Sequence, residues 1–167
     1  MVDDEDFDWL TQWKWYALRK TRTFYARRAF WVNGKGAMHE RMHTVITGYA
    51  ITDHVDGNGL NNQRVNLRDT TPCLNSLNAA KRLTTTRSQF KGLSWEKSKW
   101  RVRVQSDNRG DRPRRTHVGA FLAEEDAARA YDDAVRERYG PYGAYNFPRP
   151  GERSALTGLI IPELVLP

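Results

Sequence analysis

Lys99-Trp100-Arg101-Val102-Arg103-Val104-Gln105 is the stretch on which the fold turns. Its apolar and polar residues alternate with the two-residue period of a strand, so Trp100, Val102 and Val104 share one face and Arg101, Arg103 and Gln105 the other. A second stretch repeats the pattern, with Thr116, Val118 and Ala120 opposing Arg115, His117 and Gly119. The basic segment Arg109 to Arg114 between them extends the positive side. Leu122 to Tyr139 then reads as an amphipathic helix, with Glu124-Glu125-Asp126 at its positive dipole end and Ala127, Ala130, Tyr131 and Ala134 recurring on one face. A small sheet backed by one helix is expected, with a cationic uncovered face.

Charge is distributed to match. The 167 residues carry 27 Lys+Arg against 20 Asp+Glu, a net charge of +7. Residues 1–10 hold five acids and no base, Lys81 to Arg115 hold twelve bases and three acids, and Leu122 to Tyr139 hold six acids and three bases. A basic segment followed by an acidic one suggests one polyanion-facing surface. At 39% hydrophobic and 28% charged the chain reads as soluble and globular. No apolar run is long enough to span a membrane, and the acidic opening is unlike a basic targeting peptide, so an intracellular, cytoplasmic location is expected. The single cysteine, Cys73, excludes an internal disulfide and any multi-cysteine zinc site.

The segment before this basic region carries residues suited to chemistry. Residues 7–50 are aromatic-rich, with a hairpin turn expected at Asn33-Gly34-Lys35-Gly36. Asp53-His54 ends an apolar stretch, Asp56-Gly57-Asn58-Gly59 signals a hairpin, and Thr71-Pro72 marks the start of a helix running to about Arg82. Hairpin followed by helix would bring Asp53, His54, Asn66 and Asn75 together. A carboxylate and an amide oxygen suit a hard divalent ion, neutral imidazole can take a proton from water, and a buried asparagine can hold that imidazole in aim. Asp56, Asn58 and Gly59 read as turn residues. His39 and His43 read as packed or phosphate-touching groups, and Asn78, one turn beyond Asn75, is the alternative ligand.

The run Asp-His-Val-Asp-Gly-Asn-Gly-Leu-Asn-Asn-Gln-Arg-Val-Asn-Leu-Arg, residues 53–68, continuing through Asn75 and Asn78, resembles the ββα-metal motif of HNH endonucleases. The match is to the phage-type homing enzymes whose third motif position is asparagine. That resemblance implies His54 as general base, Asp53 and Asn75 as metal ligands, Asn66 as the supporting asparagine, and Mg2+ or another divalent cation such as Mn2+ as cofactor. The Trp13-Lys14-Trp15-Tyr16 cluster and Met42-His43 also resemble the segment preceding such motifs.

Residues 88–148 resemble a second family, the plant ethylene-response-factor (AP-two/ERF) type DNA-binding domain. The resemblance is carried by Ser88-Gln89-Phe90-Lys91-Gly92-Leu93, Lys99-Trp100-Arg101-Val102, Val118-Gly119-Ala120-Phe121, Glu125 to Asp132, and Asn146-Phe147-Pro148. It implies three strands entering the major groove, with Lys91, Ser94, Lys99, Arg103, Gln105, Arg115, His117 and Tyr131 contacting DNA. Arg101 joins them by the alternation of its strand. Several base-reading arginines of the plant proteins are replaced here, so phosphate contact is the expected role for most of these residues.

The expected fold is α+β: an HNH module with an aromatic-rich β segment over 1–83, a linker at 84–87, a three-stranded antiparallel sheet packed on one helix over 88–148, and a tail at 149–167. Leu159-Ile160-Ile161 is a candidate docking segment within that tail. The expected function is a site-seeking, divalent-metal-dependent DNA endonuclease acting on double-stranded DNA without an obligate protein partner. The alternative is a catalytically inactive DNA-binding transcription regulator. An RNA-binding role is disfavoured, because the strand face lacks an aromatic stacking platform.

Overall fold

The computed structural model describes residues 1–20, 23–82, 87–106 and 114–163, which form two compact units, Met1–Thr70 and Thr71–Pro167. Helix α1 (Asp4–Leu10) opens the first unit, followed by β1 (Tyr16–Arg19), β2 (Phe24–Val32), β3 (Gly36–Arg41), α2 (Met42–Thr47), β4 (Thr52–His54) and β5 (Leu67–Asp69). β1, β2 and β3 form an antiparallel meander. The turn at residues 33–36 takes positive φ at Gly34 and Gly36, as the sequence leads one to expect. Leu10, Met42, Ile46 and Leu67 make this unit's apolar core, flanked by Trp9, Trp15 and Ala26.

Neither α1 nor α2 was legible in the sequence. The acidic opening turns out to be a fastening. Asp6 is buried, accepts a hydrogen bond from Trp9 Nε1 and takes two from Arg64, while Asp3 Oδ2 accepts from the Arg64 backbone N–H at 2.7 Å. These bonds tie the N-terminal helix to Arg64.

The second unit contains α3 (Pro72–Asn78), β6 (Leu93–Glu96), β7 (Lys99–Ser106), β8 (Arg114–Phe121), α4 (Glu124–Tyr139), β9 (Ala144–Tyr145) and β10 (Arg153–Ser154). β6, β7 and β8 form the expected three-stranded antiparallel sheet. Trp100, Val102 and Val104 of β7 pack with Ala127, Tyr131 and Val135 of α4, so the alternation is realised as read. β8 departs from it. A bulge opposite Val102/Arg103 leaves Val118 without a partner across the ladder, so Val118 and Gly119 both oppose Val102 on the helix side. Beyond the bulge the parity changes: Ala120 pairs with Arg101 and is exposed, whereas Gly119 pairs with Val102.

The helix expected to complete a ββα module lies in the second unit, where Cys73 and Leu77 pack in the core with Trp100 and Val102. Its start is as expected, with Thr71 Oγ1 accepting from the Leu74 N–H, but it ends at Asn78 rather than near Arg82. The tail is part of the second unit: β10 pairs in parallel with β9, Ala155 is fully buried, and Arg136 holds Glu152 at 2.8 Å. Leu159 and Ile160 fold back on residues 153–154 through backbone bonds and keep their side chains exposed. Of the expected linker only Arg87 falls within the described residues, and Arg109–Pro113 of the basic loop lie outside them.

A buried polar hub closes this unit. Asp132 on α4 accepts from the backbone N–H of Asn146 and of Phe147 at 2.8 and 2.7 Å, and from Asn146 Nδ2 at 3.1 Å. Asn146 Oδ1 in turn accepts from the Lys91 N–H at 2.7 Å, joining the start of the sheet to the helix. Burial raises the Asp132 carboxyl above its ordinary range, against the lowering effect of these bonds. Asp132→Ala leaves two backbone donors unpaired, at about 1–3 kcal/mol each. Urea unfolding followed by far-UV circular dichroism should therefore show the second unit destabilised by roughly 2–6 kcal/mol, and a change below about 0.5 kcal/mol, ordinary for a surface site, contradicts the hub.

Candidate nucleic-acid interface

The face of the β6–β8 sheet turned away from α4 carries Ser94, Glu96, Lys99, Arg101, Arg103, Gln105, Arg115 and His117, as the strand register requires. Lys99, Arg115 and His117 are exposed, and Arg101, Arg103 and Gln105 are half-buried. Five residues of this face are basic, counting His117, and one is acidic. Arg103 is held by that acid: its Nη1 and Nη2 donate to Glu96 Oε1 and Oε2 at 2.7 and 2.9 Å, and Ser94 Oγ donates to Oε1 at 3.0 Å. Arg101 Nε stands 3.5 Å from the same carboxylate. The hydrogen bonds from Arg103 and then Ser94 hold the Glu96 carboxyl below its usual range. Glu96 thus fixes the direction of the Arg103 guanidinium and lies beside that of Arg101, while the backbone of β7 fixes their spacing. Sequence reading passed over it, although its place opposite Lys99 across a two-residue turn was the available signal.

A cleft of about 270 Å³ is lined by Ser94, Arg103, Gln105 and Arg115 of the sheet together with Lys91, Ser76 of α3 and Tyr131 of α4. Two expected DNA contacts are corrected here. The Lys91 ammonium donates to the carbonyls of Leu77 and Ala79 at 2.5 and 2.6 Å, capping the C-terminal end of α3. Tyr131 is 3% exposed at the floor of the cleft, and burial pushes its hydroxyl pKa upward. Gly92 lies against that ring with φ +83°, and any Cβ there would stand 2.0 Å from Tyr131 Cδ2, which leaves glycine as the one residue the site admits.

Of the residues read as catalytic, Asp53, His54 and Asn66 lie in the first unit and Asn75 in the second. Asp53 and Arg68 are direct partners across the β4–β5 ladder, and Arg68 Nε and Nη2 donate to Asp53 Oδ2 at 3.1 and 2.8 Å. Asn66 is a loop clasp: its Oδ1 accepts from the Asp56 N–H, and its Nδ2 donates to Asp56 Oδ1 and to the Asn61 carbonyl. Asp56 and Asn58 form side-chain turns with Asn58 and Leu60 N–H, and Gly59 is close-packed against Phe24 O and the Tyr25 ring. Asn75 is exposed on α3, in the second unit, and Asn78 is buried there. Arg68 thus holds the Asp53 carboxylate that the resemblance assigns to a metal, and Asn75 is an exposed residue of α3.

His54 is buried, with Nε2 donating to Asn62 Oδ1 at 3.4 Å and its ring centroid 4.9 Å from that of His43 and 5.7 Å from that of Tyr25. Burial lowers its pKa more than the Asn62 bond, Asp56 and Asp53 raise it. His43 is lowered further, to about 3, by burial, by the adjoining His54 and by Arg41.

The chain is similar to two curated proteins of Arabidopsis thaliana. It is 36% identical over 84 residues to the ethylene-responsive transcription factor ERF069, a match covering 48% of this chain and 52% of that protein. It is 38% identical over 66 residues to the dehydration-responsive element-binding protein 2A, covering 38% of this chain and 18% of that protein. The chain therefore spans about half the length of the first relative and under a fifth of the second. No protein-family profile matches, and no solved structure does. These relatives support the ethylene-response-factor part of the resemblance and offer nothing for the HNH part. They overturn the endonuclease reading: one is named a transcription factor and the other an element-binding protein, and neither name is that of an enzyme. The Mg2+ or Mn2+ cofactor falls with it.

The histidine pair makes the first unit sensitive to acid. A folded-state pKa below the unfolded value of 6.5 means that the unfolded chain binds the proton first, so stability present above pH 6.5 is lost as pH falls toward about 3. Replacing His43 by Gln should remove part of this dependence. Thermal melts between pH 7 and 4 should show a shallower fall for the variant, and parallel curves for the two proteins contradict the assignment.

Proposed function

We propose that the chain is a DNA-binding regulator without catalytic activity, which engages double-stranded DNA through the β6–β8 face described above. The observation that carries this reading is the alternation of β7: burial of Trp100, Val102 and Val104 on α4 turns Arg101 and Arg103 outward, in line with Lys99, Arg115 and His117. A row of cations on rigid strands fits a phosphate backbone, and the planar guanidinium groups suit bidentate contact with phosphate oxygens. Similarity to a transcription factor and an element-binding protein supports the same reading. Glu96 acts as a positioning residue, holding Arg103 in register beside Arg101 until phosphate or base edges compete for it. Ser94 and Gln105 border the cleft as neutral hydrogen-bonding groups.

Arg103→Ala should weaken duplex binding by about tenfold, equivalent to about 1.4 kcal/mol. It should also reduce the slope of log K against log salt by about 0.9, with little change in melting temperature. Salt-dependent binding by fluorescence anisotropy checks this, and an unaltered slope for Arg103→Ala and Arg115→Ala together overturns the interface. The absence of catalysis has its own test. Supercoiled plasmid incubated with the protein and Mg2+ should be bound and recovered uncut, whereas nicking that disappears in His54→Ala would overturn the regulator reading.

A further inference from the structure

We propose that the first unit carries a second duplex-DNA-binding surface, on the face of the β1–β3 sheet that bears Arg27 and Arg41. In committing to duplex DNA rather than another polyanion, this inference rests on the reading of the β6–β8 face given above. The two faces of the β1–β3 sheet treat charge in opposite ways. On one, Arg28 stands directly across from Glu40 and pairs with it at 2.6 Å, with its guanidinium 3.8 Å above the Trp13 ring. On the other, Arg27 stands directly across from Arg41, with Tyr16 as its partner on β1. Like charges directly opposed across a ladder are destabilising, and neither arginine has an ion pair among the described residues.

The same face continues with Ala29 opposite His39 and Trp31 opposite Ala37. Tyr16 OH lies 3.4 Å from His39 Nδ1, and Trp31 is 74% exposed. Among the described residues of these three strands, none on this face is acidic. The acids of this unit that carry ion pairs are committed elsewhere: Glu40 to Arg28, Glu5 and Asp6 to Arg64, and Asp53 to Arg68. A surface exposed at Tyr16, Trp31, His39 and Arg41 and half-buried at Arg27, which opposes two arginines, excludes carboxylates and adds a tyrosine and a tryptophan, is complementary to a phosphate backbone and its sugars. The small side chains of Ala29 and Ala37 let a duplex approach the strands closely. A single strand would call for a row of stacking rings, which two exposed aromatics do not supply.

The test uses the whole chain and a duplex long enough to occupy both units. Arg27→Ala combined with Arg41→Ala should lower the salt slope by about 1.8, two phosphates at roughly 0.9 each, while the melting temperature holds or rises as the opposed charges are removed. Arg28→Ala, on the paired face, should leave the slope unchanged. If the double variant fails to fold, Arg27→Gln alone decides, with an expected loss of about 0.9. An unchanged slope in a folded Arg27 variant overturns this inference and leaves the β6–β8 interface standing. A slope that responds to Arg27 and Arg41 but not to Arg103 and Arg115 does the reverse. Tighter binding of an equal-length RNA duplex overturns the choice of DNA.

Discussion

Val102 and Val104 have no exposed surface, and that constraint organises the second unit. Strand geometry sends neighbouring side chains to opposite faces. Burying these two valines against Ala127, Tyr131 and Val135 of α4 therefore fixes Arg101 and Arg103 on the other side. Hydrophobic burial, not electrostatic attraction, sets the spacing of the cations. Electrostatics then refines the aim of Arg103 through Glu96, which sits on the same face and lies beside Arg101 as well.

The polar interior works alongside that apolar packing. Asp132, Asn146 and the backbone of Lys91 connect the helix, the segment after it and the first strand, so the sheet cannot slide on α4 without breaking bonds to buried donors. The Lys91 ammonium extends the connection to the end of α3. Residues read as interface, Lys91 and Tyr131, instead support it from below.

Much of this was legible in the sequence. The two-residue period of Trp100 to Gln105 gave the sheet, its buried face and its cationic face. The acidic first turn and alanine spacing of Glu124 to Tyr139 gave the helix, and Thr71-Pro72 gave the start of α3. What escaped depends on tertiary context. A bulge cannot be read from alternation, so the faces of Gly119 and Ala120 were exchanged. Partners distant in sequence were equally hidden: Arg64 bonds Asp6 across 58 residues, and Asn146 bonds Lys91 across 55. The Asp53-His54 and Asn66 spacing suggested catalysis, yet the same spacing builds a ribbon in which Arg68 holds Asp53 and Asn66 clasps its loop. The enzyme expectation gave way to the similarity with a transcription factor and an element-binding protein.

The central claim is that the β6–β8 face meets DNA while α4 supports it from behind. Chemical-shift mapping of the 15N-labelled whole chain, titrated with a short duplex, tests this directly. Shifts should concentrate at Ser94, Lys99, Arg101, Arg103, Arg115 and His117, with Arg129, Asp133 and Glu137 on the exposed side of α4 unaffected. Shifts centred on α4, with the β7 and β8 residues silent, would contradict it.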